Sequence, residues 1–392
     1  MSDVIYFDNA ATSWPKPPVV AQRMSAFLDS EAANPGRAGH RMAIAAEKML
    51  DAVRKQIVDF ITGGKGGDPH RLVFAMNGTD ALNIAMKGLL RQGDHVITTM
   101  LEHNSVSRPL QAMADSRFIE LTRVGFSPGS GVVDPDEVKK AIKASTRMIA
   151  MTHGSNVLGT IQPVGEIGRI AREAGGGKIK FVVDGAQTIG TVPIDVNAMG
   201  IDVLAFPGHK SLLGPTGTGG LYVNTTVGIA DLEAFREGGT GGDSSSPTQP
   251  KLFPYFLEGG TPNTVGVAGL GAAVEFVVAH DPAATLAKER AMVQKIIDAL
   301  AGNAKVAIYG PKTAAGRVGT LSFNIAGYTP QEAGAILDES FSIAVRPGLH
   351  CSPYAHRVLG SFPDGAIRVS PGHFNTEAEL EALLEALVQL AE

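Results

Sequence analysis

Cysteine is almost missing from this chain: Cys351 is the only one in 392 residues. No internal disulfide can form, and a reducing cytoplasm fits that usage. Basic charge is not in excess either. With 34 Lys and Arg against 39 Asp and Glu, the formal net charge is -5, which offers no basic field for nucleic acid or an anionic membrane. No apolar run approaches the roughly 20 residues of a membrane span. The start, Met-Ser-Asp-Val-Ile-Tyr-Phe-Asp, has neither the basic region nor the apolar core of a signal peptide. One cysteine and no His-Glu-x-x-His spacing leave no metal site to propose.

What the chain does have is length, glycine and alternating patterns. At 392 residues and 40.8 kDa it is too long for one small core, so two domains are expected. Apolar runs at Leu72–Ala75, His95–Thr99, Met148–Met151, Phe181–Val183, Val203–Phe206 and Leu221–Val223 are separated by helical stretches. Apolar residues at consecutive positions suit strands covered on both faces, so the pattern predicts an α/β protein with a mainly parallel, doubly wound sheet. Sites in such sheets lie at the carboxyl ends of the strands. Gly238 to Pro250 reads as a loop, and a long helical stretch after about Ala268 leads into a second, α+β unit. Thr376-Glu377-Ala378-Glu379 is a capping-box pattern, followed by a core face of Leu380, Leu383, Leu384, Leu387 and Val388.

Two segments carry the chemistry. Val182-Val183-Asp184-Gly185-Ala186-Gln187 delivers a carboxylate from a strand, and Ala205-Phe206-Pro207-Gly208-His209-Lys210 ends a strand in a lysine among small residues. That pair is the minimum equipment for pyridoxal 5'-phosphate (PLP): a lysine to hold the aldehyde and a carboxylate to keep the pyridine nitrogen protonated. Taken singly, each is equally a turn cap and a surface lysine. Asn77-Gly78-Thr79-Asp80 opens a helix after a strand, where N–H groups and a hydroxyl can cradle a phosphate, or where Asn77 is simply a cap. His103 follows the His95–Thr99 run, placed either to stack on a flat cofactor or to face solvent. Cys351, within Arg346-Pro347-Gly348-Leu349-His350-Cys351-Ser352, is a nucleophile or a small buried hydrophobe. The Gly, Pro, Ser and His around it disfavour a core strand. Arg368 ends a short apolar run, ready to fork a carboxylate or to pair on the surface.

In this order these motifs resemble the cysteine desulfurase branch of the class V aminotransferase superfamily, a PLP fold-type I group. The likeness starts at Tyr6-Phe7-Asp8-Asn9-Ala10-Ala11-Thr12 and runs through Gly78-Thr79, Glu102-His103-Asn104, Ser155 to Thr160, Asp184 to Gln187 and Gly208-His209-Lys210. It closes with Gly259-Gly260-Thr261-Pro262-Asn263-Thr264, Arg346 to Cys351, and Arg368. The Arg-x-Gly-x-His-Cys context is most similar to the group II (SUF-type) desulfurases and selenocysteine lyases.

The resemblance implies a mainly parallel seven-stranded sheet in a large PLP-binding domain, residues 15–270. Residues 1–14 with 271–392 would form a smaller α+β domain carrying Cys351. It implies Lys210 as the Schiff-base lysine, Asp184 as the pyridine partner, His103 as the stacking residue and Gln187 as donor to the phenolic oxygen. Gly78, Thr79 and His209 would bind phosphate, joined across a homodimer interface by Thr261. Asn156 and Arg368 would hold the substrate carboxylate, with His40 and Arg346 bordering the pocket. The reaction implied is L-cysteine to L-alanine, with a persulfide on Cys351 and sulfur passed to an acceptor, in sulfur mobilisation of the kind that feeds iron–sulfur cluster assembly. L-selenocysteine lysis, another class V lyase or aminotransferase reaction, and an idle sulfur-trafficking scaffold are the alternatives. One departure stands out. The family's serine two residues before the Gly-His-Lys histidine is Pro207 here, which removes both a hydroxyl and an N–H. The Glu237–Gly242 loop is a candidate to compensate.

Overall fold

The computed structural model describes residues 4–36, 39–241 and 245–392. A short strand, β1 (Ile5–Tyr6), precedes α1 (Pro18–Ser30) and α2 (Arg41–Ile61). The central layer follows as β2 (Leu72–Ala75), α3 (Gly78–Leu89), β3 (Asp94–Thr99), α4 (Asn104–Asp115), β4 (Ile119–Val124), α5 (Pro135–Lys140), β5 (Thr146–Thr152), α6 (Val164–Gly175), β6 (Lys180–Asp184), β7 (Val203–Pro207) and β8 (Gly219–Val223). Helices α7 (Thr264–Ala279) and α8 (Pro282–Leu300) lead into β9 (Val306–Ile308), β10 (Leu321–Ile325), α9 (Pro330–Phe341), β11 (Ile343–Ala344), β12 (Arg346–Gly348), α10 (Pro353–Leu359), β13 (Ala366–Val369) and α11 (Glu377–Ala391).

The central sheet has seven strands in the order β2-β8-β7-β6-β5-β3-β4. Only β8 runs against its neighbours, β2 and β7; the other pairs are parallel. Successive residues of one strand enter opposite layers, as the strand period requires. Leu72, Phe74, Phe181 and Val183 join one apolar cluster, while Val73, Ala75 and Val182 join the other. Burial on both faces explains why these strands read as unbroken apolar runs.

β4 is absent from the sequence expectation for the same reason. It sits at the sheet edge with β3 as its partner, and Glu120 is exposed, so its Ile-Glu-Leu-Thr-Arg-Val lacks a continuous run. The expected long helical stretch after about Ala268 is made of two helices, α7 beginning already at Thr264, that meet at 77°. Asp281 takes φ +50 and Pro282 opens α8, so the first helix cannot continue.

The C-terminal strands form a four-stranded sheet, β12-β13-β10-β9, and β1 pairs in parallel with β11. A third apolar cluster lies there, and Phe7 of the N-terminal segment is part of it. The capping box at Thr376 and Glu379 is present. Leu380, Leu383 and Leu387 are buried, but Val388 is 43% exposed, and Leu390 takes its place in the core. Among the described residues no single helix is long and apolar enough to cross a membrane.

Candidate active site

The carboxyl ends of the parallel strands converge on a cavity of about 240 Å³. β6 brings Asp184 as its last residue, β5 brings Thr152, and the start of α3 brings Gly78 and Thr79. β7 ends at Pro207, leading directly into His209 and Lys210. The C-terminal part closes the cavity with Arg346, His350, Cys351 and Arg368. Gly208 lets this happen: a Cβ there would lie 2.2 Å from Thr218 Oγ1.

Lys210 forms the floor, and its remaining exposure opens into the cavity. Burial lowers its pKa to about 8, against the pull of Asp184 in the other direction, with Arg368 and Arg346 adding to the lowering. Near neutrality this amine is far more nucleophilic than a surface lysine. Asp184 is 4% exposed, accepts from the Ala186 N–H at 2.9 Å, and has its pKa raised by burial. A buried carboxylate of this kind gains from a cation beside it.

His103 caps α4. Its Nδ1 accepts the Ser105 N–H at 3.0 Å, which leaves the ring proton on Nε2. Burial, then the cations Lys210, Arg346, Arg368 and Arg108, lower its pKa to about 3, so the ring is neutral. His209 is likewise held neutral by burial, with a pKa of about 4, and its Nδ1 is buried without a partner. Gln187 lines the cavity and donates to Ala10 O at 3.1 Å.

Cys351 and His350 both adopt left-handed backbone, at φ +58 and +50. Asn156 Nδ2 donates to His350 O at 2.6 Å and Ser352 Oγ donates to Asn156 Oδ1 at 2.8 Å, while the Asn104 N–H donates to Cys351 O at 2.7 Å. Arg346 Nη2 lies 3.8 Å from Cys351 Sγ. Asn156 therefore lines the cavity but commits its amide to the cysteine loop. Arg368, 1% exposed, pairs through Nη2 with Asp8 Oδ1 at 2.5 Å and donates through Nη1 to Asn156 O at 3.1 Å. Its Nε is buried and has no hydrogen-bond partner among the described residues.

Two expected site residues are elsewhere in the chain. His40 is exposed and caps α2, with Nδ1 accepting from the Ala43 N–H. Thr261 is exposed and lines a separate hollow with Arg54 and Glu47 of α2. Of the 237–242 loop, Gly239 and Gly241 line that same hollow, and Gly242 lies outside the described residues. Sequence reasoning assigned no role to Asp8, Glu102 or Ser105. Glu102 is fully buried, accepts from Thr99 Oγ1 at 2.6 Å, and is pushed up to about 8 by burial. An acidic residue directly before His103 was the available signal.

The mainly parallel sheet, with a lysine and a buried carboxylate at its carboxyl edge, has the architecture of the PLP fold-type I class. The class-V aminotransferase family model matches residues 5–383, and the chain belongs to that family, in its cysteine desulfurase branch. A probable cysteine desulfurase of Methanothermobacter thermautotrophicus is 35% identical over 396 residues, covering 100% of this chain and 96% of that protein. A cysteine desulfurase of Yersinia pestis is 30% identical over 395 residues, covering 99% and 93%. The solved apo structure of cysteine desulfurase from Thermococcus onnurineus NA1 is similar with a TM-score of 0.91 at 33% identity, covering 100% of this chain and 95% of that one. The Escherichia coli cysteine desulfurase CsdA, in an S-sulfonic acid form, has a TM-score of 0.86 at 27% identity, covering 100% and 95%.

Proposed function

We propose that this chain is a PLP-dependent cysteine desulfurase that converts L-cysteine to L-alanine and holds the sulfur as a persulfide on Cys351. The observation that carries this reading is one cavity lined by Lys210, Asp184 and Cys351 together. The residues present fit the cofactor. Lys210 is an amine with a lowered pKa, Asp184 a buried carboxylate, His209 Nδ1 an orphaned polar atom, and Thr79 an exposed hydroxyl at the rim.

PLP, when bound, supplies an electron sink conjugated to the substrate Cα. Lys210 would hold it and then move the Cα proton, as a base of pKa about 8 can at neutral pH. Asp184 would keep the ring nitrogen protonated, His103 would lie against the ring, and Gln187 would donate to its phenolic oxygen. Thr79 and His209 would hold the phosphate, with the N–H groups of Gly78 and Thr79 at the positive end of α3. Arg368 would take the substrate carboxylate, with Asn156 and Arg346 beside it. Cys351 then attacks the substrate sulfur. The S–S bond forms as the Cβ–S bond breaks, the electron pair passes to carbon, and that carbon takes a proton to give alanine.

On this reading residues 15–270 are the cofactor-carrying unit and 1–14 with 271–392 the smaller one, with α7 spanning the junction. The working form is a homodimer. Thr261 and His40 stand outside the cavity of their own chain, and in a dimer a second copy would bring Thr261 to the rim at Thr79. Met76 beside that rim and Met42 on α2 are 58% and 51% exposed, apolar surface that a second copy would cover.

The test is uptake and turnover. The protein mixed with PLP should turn yellow, and borohydride should fix a pyridoxyl group on Lys210. L-Cysteine should then yield alanine and, with a thiol present, sulfide. Recovery of the label on another lysine, or no alanine, would overturn the reading.

A further inference from the structure

The two helices that open into the cavity bring their hydroxyls together. Thr79 is the second residue of α3 and Ser105 the second of α4, and their oxygens are 2.6 Å apart. Both line the cavity, and both helices run 12 residues, so each presents the positive end of a full helix dipole to the same spot. Ser105 Oγ also lies 2.8 Å from His103 Nδ1. That nitrogen also receives the Ser105 N–H at 3.0 Å, so two Ser105 donors share the one acceptor lone pair of a neutral ring, and the hydroxyl can turn its proton to a stronger acceptor while the N–H keeps the ring in place. Beside the start of α3, Pro207 has no donor to offer. Its Cδ sits 3.2 Å from where a Gly78 Cβ would be, filling the space above the start of α3 with carbon. Buried His209 Nδ1, without a partner, lines the same cavity.

We infer that Ser105 is a phosphate ligand of this site: with Thr79 it forms a two-hydroxyl clamp at paired helix starts, doing what the Pro207 side of the cavity cannot. This rests on the PLP reading above. Here the two hydroxyls bond each other; with a phosphate between the helix ends, both would turn their protons to its oxygens. Ser105 then ties the phosphate to His103, because the same residue fixes the ring that stacks on the cofactor. The side-chain requirement is specific, since a serine at this position offers its backbone N–H to His103 and its hydroxyl to the anion.

The experiment compares binding of PLP and of pyridoxal, which lacks the phosphate, to cofactor-free wild type and Ser105→Ala, by equilibrium dialysis. A hydrogen bond to a charged group predicts about tenfold to a hundredfold weaker PLP binding in the variant. Pyridoxal binding should be unchanged. Adding Pro207→Ser to Ser105→Ala should return the PLP-to-pyridoxal ratio toward wild type. An unchanged PLP affinity overturns the inference. So does an equal loss for pyridoxal, which would make Ser105 a support for His103 alone. A wild type that binds neither compound would instead overturn the cofactor reading itself.

Discussion

Replacing Asn156 by alanine should release the loop that holds Cys351. Two adjacent residues, His350 and Cys351, occupy left-handed backbone at φ +50 and +58, a conformation that costs roughly 1–2 kcal/mol for each non-glycine residue. The turn's own Ser352 N–H to Leu349 O bond opposes that strain, together with Asn156 Nδ2 to His350 O, Ser352 Oγ to Asn156 Oδ1, Asn104 N–H to Cys351 O, and His350 Nε2 to Arg346 O. At about 1 kcal/mol net apiece these bonds outweigh the strain by only a few kcal/mol. Asn156→Ala removes two of them, and the balance shifts toward an open loop in which Cys351 Sγ leaves its place beside Arg346. Because Cys351 is the only cysteine, its alkylation by iodoacetamide reads the loop directly, without substrate. The half-buried thiol should react several-fold faster in the variant, while persulfide formation from L-cysteine falls by at least tenfold. Wild-type alkylation together with wild-type persulfide formation would refute the reasoning. A slower persulfide step with unchanged alkylation would assign Asn156 to the substrate and not to the loop.

Two further outcomes follow from buried charges. Uptake of PLP by the cofactor-free protein should rise steeply from pH 7 and level off above about 8, because Lys210 is neutral above a lowered pKa of about 8. A stopped-flow rate that keeps climbing to pH 10 would contradict the placement of that amine. Glu289, on α8, is 7% exposed and its pKa is raised to about 8 by burial. The folded state therefore holds its proton where the unfolded chain has lost it, and stability falls as pH rises from about 4.5 toward 8. Glu289→Gln should raise the melting temperature at pH 9, by an amount on the order of a few kcal/mol in stability, and leave it unchanged at pH 4. Parallel melting curves for the two proteins across that range would sink the assignment.

The legible parts of this molecule are those where one local pattern has one structural meaning. β2, β5, β6 and β7 are covered on both faces, so their apolar runs mark them, and Asp184 and Lys210 follow from their placement at strand ends. β4 hides because an edge strand can afford Glu120 and Thr122, and α7 and α8 merge because both sides of the break are helical. Within the site, Asn77 is both a cap and a cavity residue, since its side chain accepts from the Asp80 N–H while it lines the cavity. Ser105 was invisible for a different reason: nothing in the sequence says that α3 and α4 point their first turns at each other. Arg368 could be read as a carboxylate fork, but its partner Asp8, 360 positions away, depends on the N-terminal segment threading beside β13. Thr261 and His40 follow neither from local pattern nor from the geometry of a single chain.

The measurement that bears most directly on the central claim is the mass of the PLP-loaded protein after one turnover with L-cysteine. The account predicts one added sulfur, located on Cys351 by peptide mapping, with one alanine released per sulfur and neither product from Cys351→Ala. Alanine produced by Cys351→Ala at the wild-type rate, with no sulfur on the wild-type cysteine, would contradict it.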